Sequence, residues 1–344
     1  MQRILAIQIK RIGDLILTVP ALRLLRRHRP DAHITLVTAG AAGQLASCIP
    51  DIDENLNYRS LRLNSALWGS LLADPFDFSL DFNGTDRSVG MSFVAGAGNR
   101  AAYTKRVLKF PRNAIFTHTS SASLKKLHTI DHMIALLETM GIHPHEHREA
   151  LRLKIPVSAQ EQTRQILQAH EIGRDQSFAV IHPGTARPEK YWTCAGWAAV
   201  IDHLILEKKL PVVITGGSDA AEISHIEAVK TALRPEARSQ VIDFSGQLSL
   251  PQTAAIISKS KLVLGVDTAA MHLAAAFEKP QLVLFGPTNP YHWRPLHEQA
   301  RIIQAGHEEP LRDDEYETKI PDVSMSLITD KQIINVLDKE FNNI

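Results

Sequence analysis

Arg3-Ile-Leu-Ala-Ile-Gln-Ile9, Lys10-Arg-Ile-Gly-Asp14 and His33-Ile-Thr-Leu-Val-Thr38 decide the fold. The first is an apolar run of strand length, the second a polar turn, and the third another strand. Between them Ala21, Leu22 and Leu25 supply helical apolar spacing, with Thr18 as the expected N-cap and Pro20 in the first turn. Arg26, Arg27 and His28 load the last turn before Pro30 stops it. Strand, helix and strand in so short a span make a βαβ unit with parallel strands and a right-handed crossover.

Working outward, Phe76 to Phe82 alternates as a strand, and Thr129 to Met140 reads as a helix ended by Gly141. The stretch from Gly141 to Pro156 is rich in His, Pro and charge and marks the expected domain boundary. Its His143, His145 and His147, with Glu146 and Glu149, have no defined ligand geometry in a proline-containing segment, so they read as a solvated linker. The second half repeats the alternation, with strands expected at 178–182, 211–215, 241–244, 261–266 and 280–285. Helices are expected at 194–207, 220–233, 251–258 and 269–277. The expected organisation is α/β, with two Rossmann-like doubly wound domains over 1–155 and 156–325 facing across a cleft. A terminal helix in 326–344 is a candidate for packing back on the first domain. Open parallel sheets bind ligands at the carboxyl ends of their strands.

The composition, 44% hydrophobic and 22% charged over 344 residues, excludes disordered and fibrous classes. No run approaches the ~18 apolar residues of a spanning helix. The apolar start meets Gln8, Lys10, Arg11 and Asp14, so no signal peptide is expected and the cytoplasm is the expected compartment. Cys48 and Cys194 alone make no disulfide framework. Residues 1–157 carry 20 Lys/Arg against 13 Asp/Glu, a net of +7, whereas 158–344 carry 18 against 24, a net of −6. A basic half suits a phosphorylated or membrane-surface partner, or is simply a solvated face; it is modest beside nucleic-acid binders, and no nucleic acid is expected.

Three strand-to-helix connections of the second half, and one of the first, carry the chemistry. In Gly265-Val-Asp-Thr-Ala-Ala-Met-His272 a strand ends at Asp267 and a helix N-terminus follows, which suits a diphosphate; Asp267 alternatively reads as a plain N-cap, and His272 faces either ligand or core. In His182-Pro-Gly-Thr-Ala-Arg-Pro-Glu-Lys-Tyr-Trp192, Thr185 offers a hydroxyl and Lys190 a charge. In Thr215-Gly-Gly-Ser-Asp219, Gly216 and Gly217 let a ligand approach the backbone. Asp14 stands where a general base would serve, with Lys10 and Arg11 expected to favour its ionised form. Arg59, Arg62, Arg87, Lys105, Arg106, Lys109 and Arg112, expected in loops, are candidates for an anionic acceptor. Asp313-Asp-Glu315 reads as a solvated loop.

Taken together, Ile12-Gly-Asp14 with Pro20-Ala-Leu22, His182-Pro-Gly-Thr185 with Glu189-Lys-Tyr-Trp192, and Asp267-Thr-Ala-Ala-Met-His272 with Phe285-Gly-Pro-Thr288 resemble a known family. It is that of the ADP-heptose:lipopolysaccharide heptosyltransferases, glycosyltransferase family 9, and the resemblance runs from residue 3 to about 295. It implies a GT-B fold and metal-independent, inverting transfer of heptose from ADP-heptose to the lipopolysaccharide inner core, with no cofactor. Asp14 matches the base that deprotonates the acceptor. Lys190 and Thr185 match donor phosphate or sugar contacts, and Asp267, Thr268 and His272 the donor loop. Leu248 matches an apolar residue against adenine, and Glu222, after a turn of different length, a ribose-binding carboxylate. Ala269 stands where the family usually has Gly. The implied partners are the nucleotide-sugar and a phosphorylated lipid acceptor at the cytoplasmic face of the inner membrane. Two other readings are a same-fold transferase with another nucleotide-sugar or acceptor and a non-catalytic two-lobed binding protein.

Overall fold

The computed structural model describes residues 1–60, 63–107, 109–110, 112–143, 149–173, 176–320 and 322–341. The chain divides into two compact units, Met1–Lys154 and Ile155–Ile344.

Unit 1 runs β1 (Arg3–Ile7), α1 (Ile12–His28), β2 (His33–Ala39), β3 (Glu54–Tyr58), α2 (Ser65–Ala73), β4 (Phe78–Asp81), α3 (Asp86–Val94), β5 (Asn99–Tyr103), α4 (Thr104–Val107), α5 (Arg112–Ile115), β6 (His118–Ser120) and α6 (Thr129–Ile134). Its six strands are parallel in the order β3-β2-β1-β4-β5-β6. The opening apolar run makes β1, buried from Ile4 to Ile7, because a strand covered by helices on both faces needs continuous rather than alternating hydrophobicity. On one face Leu67, Leu71 and Met91 of α2 and α3 pack over Leu5, Ile7 and Val37, while α1 and α6 pack against each other.

The first helix starts earlier than its sequence suggested. Arg11, not Thr18, occupies the N-cap position, without a side-chain cap, and Pro20 lies inside the helix. The Thr18 hydroxyl is consumed internally: it donates to Asp14 O at 2.8 Å and accepts from Gln8 Nε2 at 2.8 Å. Asp14 therefore sits in the first helical turn rather than in a loop, where a helix N-terminus favours a carboxylate. The helix expected over 129–140 is interrupted: α6 ends at Ile134 and a 3₁₀ turn, Leu137–Met140, follows before Gly141 takes φ +70°. Of the His-rich segment, His145, Glu146 and His147 lie outside the described residues. Glu149 is not solvated; it pairs with Arg27 at 2.7 Å and Arg23 at 3.5 Å on α1.

Unit 2 runs α7 (Val157–Ala169), β7 (Ala179–His182), α8 (Cys194–Asp202), β8 (Val212–Ile214), α9 (Ala220–Ala232), α10 (Pro235–Arg238), β9 (Val241–Asp243), α11 (Leu250–Lys259), β10 (Leu262–Val266), α12 (Ala269–Ala276), β11 (Gln281–Phe285), α13 (Pro290–Trp293), β12 (Ala300–Gln304) and α14 (Asp330–Glu340). Its strands, again all parallel, lie in the order β12-β11-β10-β7-β8-β9. Numbered within each unit, both sheets are 3-2-1-4-5-6, the doubly wound Rossmann order. β12 is a sixth strand that the sequence reading did not include. The core centres on Trp192 and Trp197, edge to face at 5.1 Å, with the Trp192 indole donating to Ile328 O at 2.9 Å. The terminal helix α14 buries its Ile333, Val336 and Leu337 in the unit 2 core and packs on α8.

Candidate active site

In each sheet the strand order reverses between two neighbours, β1/β4 in unit 1 and β7/β10 in unit 2, and the connections leaving their carboxyl ends diverge to opposite faces. A crevice opens there by topology alone. The polar side chains of each unit gather at that place.

In unit 2, Lys190, on a short 3₁₀ turn after β7, donates to Asp267 O at 3.0 Å and to Asp267 Oδ2 at 2.5 Å. The pair is buried, with side-chain exposures of 10% and 9%. Thr288, after β11, donates its hydroxyl to the same carboxylate oxygen at 2.8 Å. Asp267 is thus no N-cap: Thr268 holds that position and makes no capping bond, its buried hydroxyl being unpartnered. His272, within α12, is buried with Nδ1 unpartnered, and burial pushes its pKa down to about 4, against the pull of Asp267, so the ring is neutral at physiological pH. This group joins an ion pair, a hydroxyl, a neutral imidazole and the uncapped start of α12, the parts of an anion-binding edge.

Beside it, Glu222 on the first turn of α9 accepts from Gly217 N at 2.8 Å and lies 3.8 Å from His182 Nε2. The glycines are required by this carboxylate: a Cβ on Gly184 would stand 2.4 Å from Glu222 Oε1, and one on Gly217 2.8 Å from Oε2. His182 Nδ1 and the Thr215 hydroxyl lie 3.0 Å apart, and burial lowers the His182 pKa although Glu222 opposes it. Thr185 is buried, Gly216 packs against Ile226 and Ser245, and Leu248 is half-buried between β9 and α11. Ala269 is half-buried as the first residue of α12.

Unit 1 holds a second cluster. The Asn83 amide donates to Gln8 Oε1 at 2.6 Å and its carbonyl accepts from Ile9 N at 2.7 Å, tying the end of β1 to the end of β4. Asp81, fully buried at the end of β4, accepts from Asn83 N and Gly84 N at 2.8 and 2.9 Å with Oδ1, while Oδ2 is unpartnered; burial raises its pKa to about 6. Lys10 lies within electrostatic reach of Asp14, Arg106 and Asp81, and burial lowers its pKa. His132, stacked on Tyr103 at 3.9 Å, is pushed down to about 4 by burial and by Lys10 and Arg106.

The Asp14 pKa is raised, not lowered as the neighbouring charges suggested: burial outweighs Lys10, Arg11 and the first-turn backbone N–H groups. The other basic candidates divide. Arg106 joins the cluster, Arg11, Arg59 and Lys109 are exposed, and Lys105 donates to Ser123 Oγ at 3.1 Å. Arg87 lies over the Tyr58 ring, and Arg112 is neutralised by Asp86. Arg87, Lys105, Arg106 and Arg112 belong to helices α3, α4 and α5 rather than loops. Arg62 lies outside the described residues. Asp313–Glu315 forms an exposed 3₁₀ turn paired with Arg312.

Sequence reasoning missed Asp81, Asn83, Gln8, His132, His182 and Thr288 as site residues. Position at a strand's carboxyl end would have found Asp81 and His182, and Thr288 stood in a quoted motif without a role. A cavity of about 600 Å³ bordered by Val157, Arg164, Phe178 and Lys259 lies before β7, at the opposite edge. Among the described residues, no three of His, Cys, Asp or Glu stand close enough to hold a metal ion, and no helix is long and apolar enough to cross a membrane.

Twin doubly wound units of one strand order, each with its polar residues at the switch point, have the architecture of the GT-B fold. Residues 64–323 match the profile of glycosyltransferase family 9 (heptosyltransferase), and the chain belongs to that family. Lipopolysaccharide heptosyltransferase 3 of Escherichia coli is 26% identical over 341 residues, covering 95% of this chain and 96% of that protein. Lipopolysaccharide heptosyltransferase 1 of Salmonella typhimurium is 22% identical over 302 residues, covering 84% and 89%. The fold is shared with a glycosyl transferase family 9 structure from Veillonella parvula (TM-score 0.85, 21% identity, 100% and 98% covered). It is shared also with E. coli ADP-heptose lps heptosyltransferase II (TM-score 0.80, 19% identity, 100% and 99% covered).

Proposed function

We propose that this glycosyltransferase moves heptose from ADP-heptose to the inner core of lipopolysaccharide, with inversion and without a metal. The observation that carries the reading is the buried Lys190–Asp267–Thr288 group beside the uncapped start of α12 and the neutral His272. Such an edge suits a diphosphate whose charge grows as its bond to the sugar breaks, because a fixed ammonium and backbone N–H groups stabilise the leaving group without reorganisation. The names of the relatives support heptosyl transfer to lipopolysaccharide, and the donor is supported by the E. coli ADP-heptose lps heptosyltransferase II of the same fold and by an E. coli heptosyltransferase of that fold solved with ADP-2-deoxy-2-fluoro heptose (TM-score 0.74, 18% identity).

In this reading Asp14 removes the proton from the acceptor hydroxyl. The hydroxyl oxygen then bonds to the anomeric carbon as that carbon's bond to the diphosphate oxygen breaks, and ADP departs. An inverting transfer needs the base on the face opposite the leaving group. Burial raises the Asp14 pKa, which strengthens it as a base. Lys10, Arg106 and the exposed Arg59 meet the phosphates of the acceptor, and the enzyme works at the cytoplasmic face of the inner membrane. The test is mass spectrometry of a core acceptor incubated with purified protein and either ADP-heptose or other nucleotide-sugars. One heptosyl addition from ADP-heptose is expected. Transfer only from another nucleotide-sugar, or to no core acceptor, would overturn the reading.

A further inference from the structure

Asp81 closes β4 at the switch point of unit 1, paired in register with Ile7 of β1, the strand that Lys10 follows, and its side chain is fully buried. One carboxylate oxygen accounts for the local turn. Oδ1 accepts from Asn83 N at 2.8 Å and Gly84 N at 2.9 Å, and an asparagine would present the same acceptor. Oδ2 is buried and unpartnered, and the Ser88 hydroxyl donates to Thr85 O at 3.0 Å instead. A second charged oxygen in such a place carries a desolvation cost that an opposite charge must offset.

Lys10 and Arg106 are the opposite charges at hand. The turn held by Asp81 is bonded to the segment that carries Lys10: the Asn83 side chain accepts from Ile9 N at 2.7 Å and donates to Gln8 Oε1 at 2.6 Å, and that same oxygen accepts from Lys10 N at 3.4 Å. Arg106 packs so closely on Gly84, whose N–H Asp81 also holds, that a Cβ there would collide with its own. Lys10 is attracted by Asp14 and Asp81 and repelled by Arg106. Two further neighbours add no charge, since His132 is neutral at physiological pH and Tyr103 commits its hydroxyl to His132 O at 2.8 Å.

We propose that Asp81 is a positioning residue for the transfer reaction, its free carboxylate oxygen holding the Lys10 ammonium beside Asp14 to meet the anionic group of the acceptor. The inference deepens the proposed function and rests on its reading of Lys10 as an acceptor contact. Asp14 alone would not serve. When Asp14 takes the acceptor proton its negative charge disappears, and Lys10 is left with the repulsion of Arg106. Asp81, shut away from the acceptor by burial and ionised above its pKa of about 6, keeps its charge through that step.

The test compares Asp81→Asn with the wild type. The amide keeps an acceptor for Asn83 N and Gly84 N and removes only the charge, so the melting temperature should change little. Trace acylation of lysines at pH 8, with Lys10 quantified by peptide mass spectrometry and neither substrate present, should run about threefold or more faster at Lys10 in the variant. Loss of a neighbouring negative charge favours the uncharged amine. With saturating donor, KM for the acceptor should rise about tenfold and kcat should change much less. Lys10→Met should raise it similarly, and the double variant should be no worse than Lys10→Met alone, because Asp81 acts through Lys10. Unchanged Lys10 labelling, an unchanged acceptor KM or additive losses in the double variant overturns the inference. If Asp81→Asn does not fold, the reciprocal titration decides: in Lys10→Met the Asp81 carboxyl, followed by ¹³C NMR, should titrate at higher pH than in the wild type, and an unchanged titration overturns the inference equally. Labelling and NMR are read without substrates, so absence of heptosyl transfer in the wild type would overturn the proposed function and leave the Asp81–Lys10 link to be judged by these readouts.

Discussion

Acidification should destabilise unit 2 through His272, and the size of the effect follows from its burial. The imidazole is 3% exposed, with Nδ1 unpartnered, and its pKa falls from the ordinary 6.5 to about 4. A depressed histidine binds its proton more readily in the unfolded chain, so unfolding takes up a proton below pH 6.5. Stability is therefore lost as pH falls from 6.5 towards 4 and levels off below. The full span corresponds to about 3 kcal/mol, of which about 2 kcal/mol is lost between pH 7 and pH 5. His182, His225 and His297 are also held down by burial, so the measurement compares wild type with His272→Asn. The assay is urea unfolding followed by tryptophan fluorescence, which reports mainly on unit 2, home of Trp192, Trp197 and Trp293. The variant should lose about 2 kcal/mol less than wild type over that interval. Parallel pH dependences in the two proteins would refute the reasoning, because they would mean that His272 is solvated or charged in the folded state.

Asp14→Asn should lower turnover by ~10² to 10⁴ with donor affinity unchanged, and the acid limb of the wild-type rate profile should lie above the usual carboxylate range. Near-normal turnover, read by product formation under saturating substrates, would remove Asp14 from the chemistry. Asp267→Ala leaves the Lys190 ammonium buried against a carbonyl alone and should cost about 3–5 kcal/mol in chemical denaturation; a loss below 1 kcal/mol would show that Lys190 finds water or a new partner. Transfer activity should survive exhaustive chelation, and a strict, saturable requirement for Mg²⁺ or Mn²⁺ would contradict stabilisation of the diphosphate by Lys190 and α12.

Much of this protein was legible locally. The apolar runs that became β1, β2, β7, β10 and β11 are fully covered strands, whose continuous hydrophobicity is a property of composition over a few residues. The strand-to-helix connections of unit 2 were legible too, because a strand end followed by small residues and a helix is a local signature. Short or polar strands were not: β3, with the sequence Glu54-Asn-Leu-Asn-Tyr58, and β6 hold their place by pairing with β2 and β5.

Charge state and partnership lay beyond any local reading. Lys190 and Asp267 are far apart in the chain, yet packing makes them a buried pair, and the same carboxylate that looked like a cap takes its bonds from Lys190 and Thr288. Lys10 and Arg11 are neighbours that should have held Asp14 ionised, but the desolvation that raises its pKa comes from folding the surrounding elements over it. Asp81 and His132 show no special pattern in sequence and become perturbed only once buried beside Lys10. Amino-acid order by itself determined which segments would be strands and helices and which connections would carry polar groups, because hydrophobic period and turn chemistry act within a few residues. The tertiary structure alone decided which of those groups meet and which keep their charge, because dielectric and neighbour distance are set by the whole packed unit.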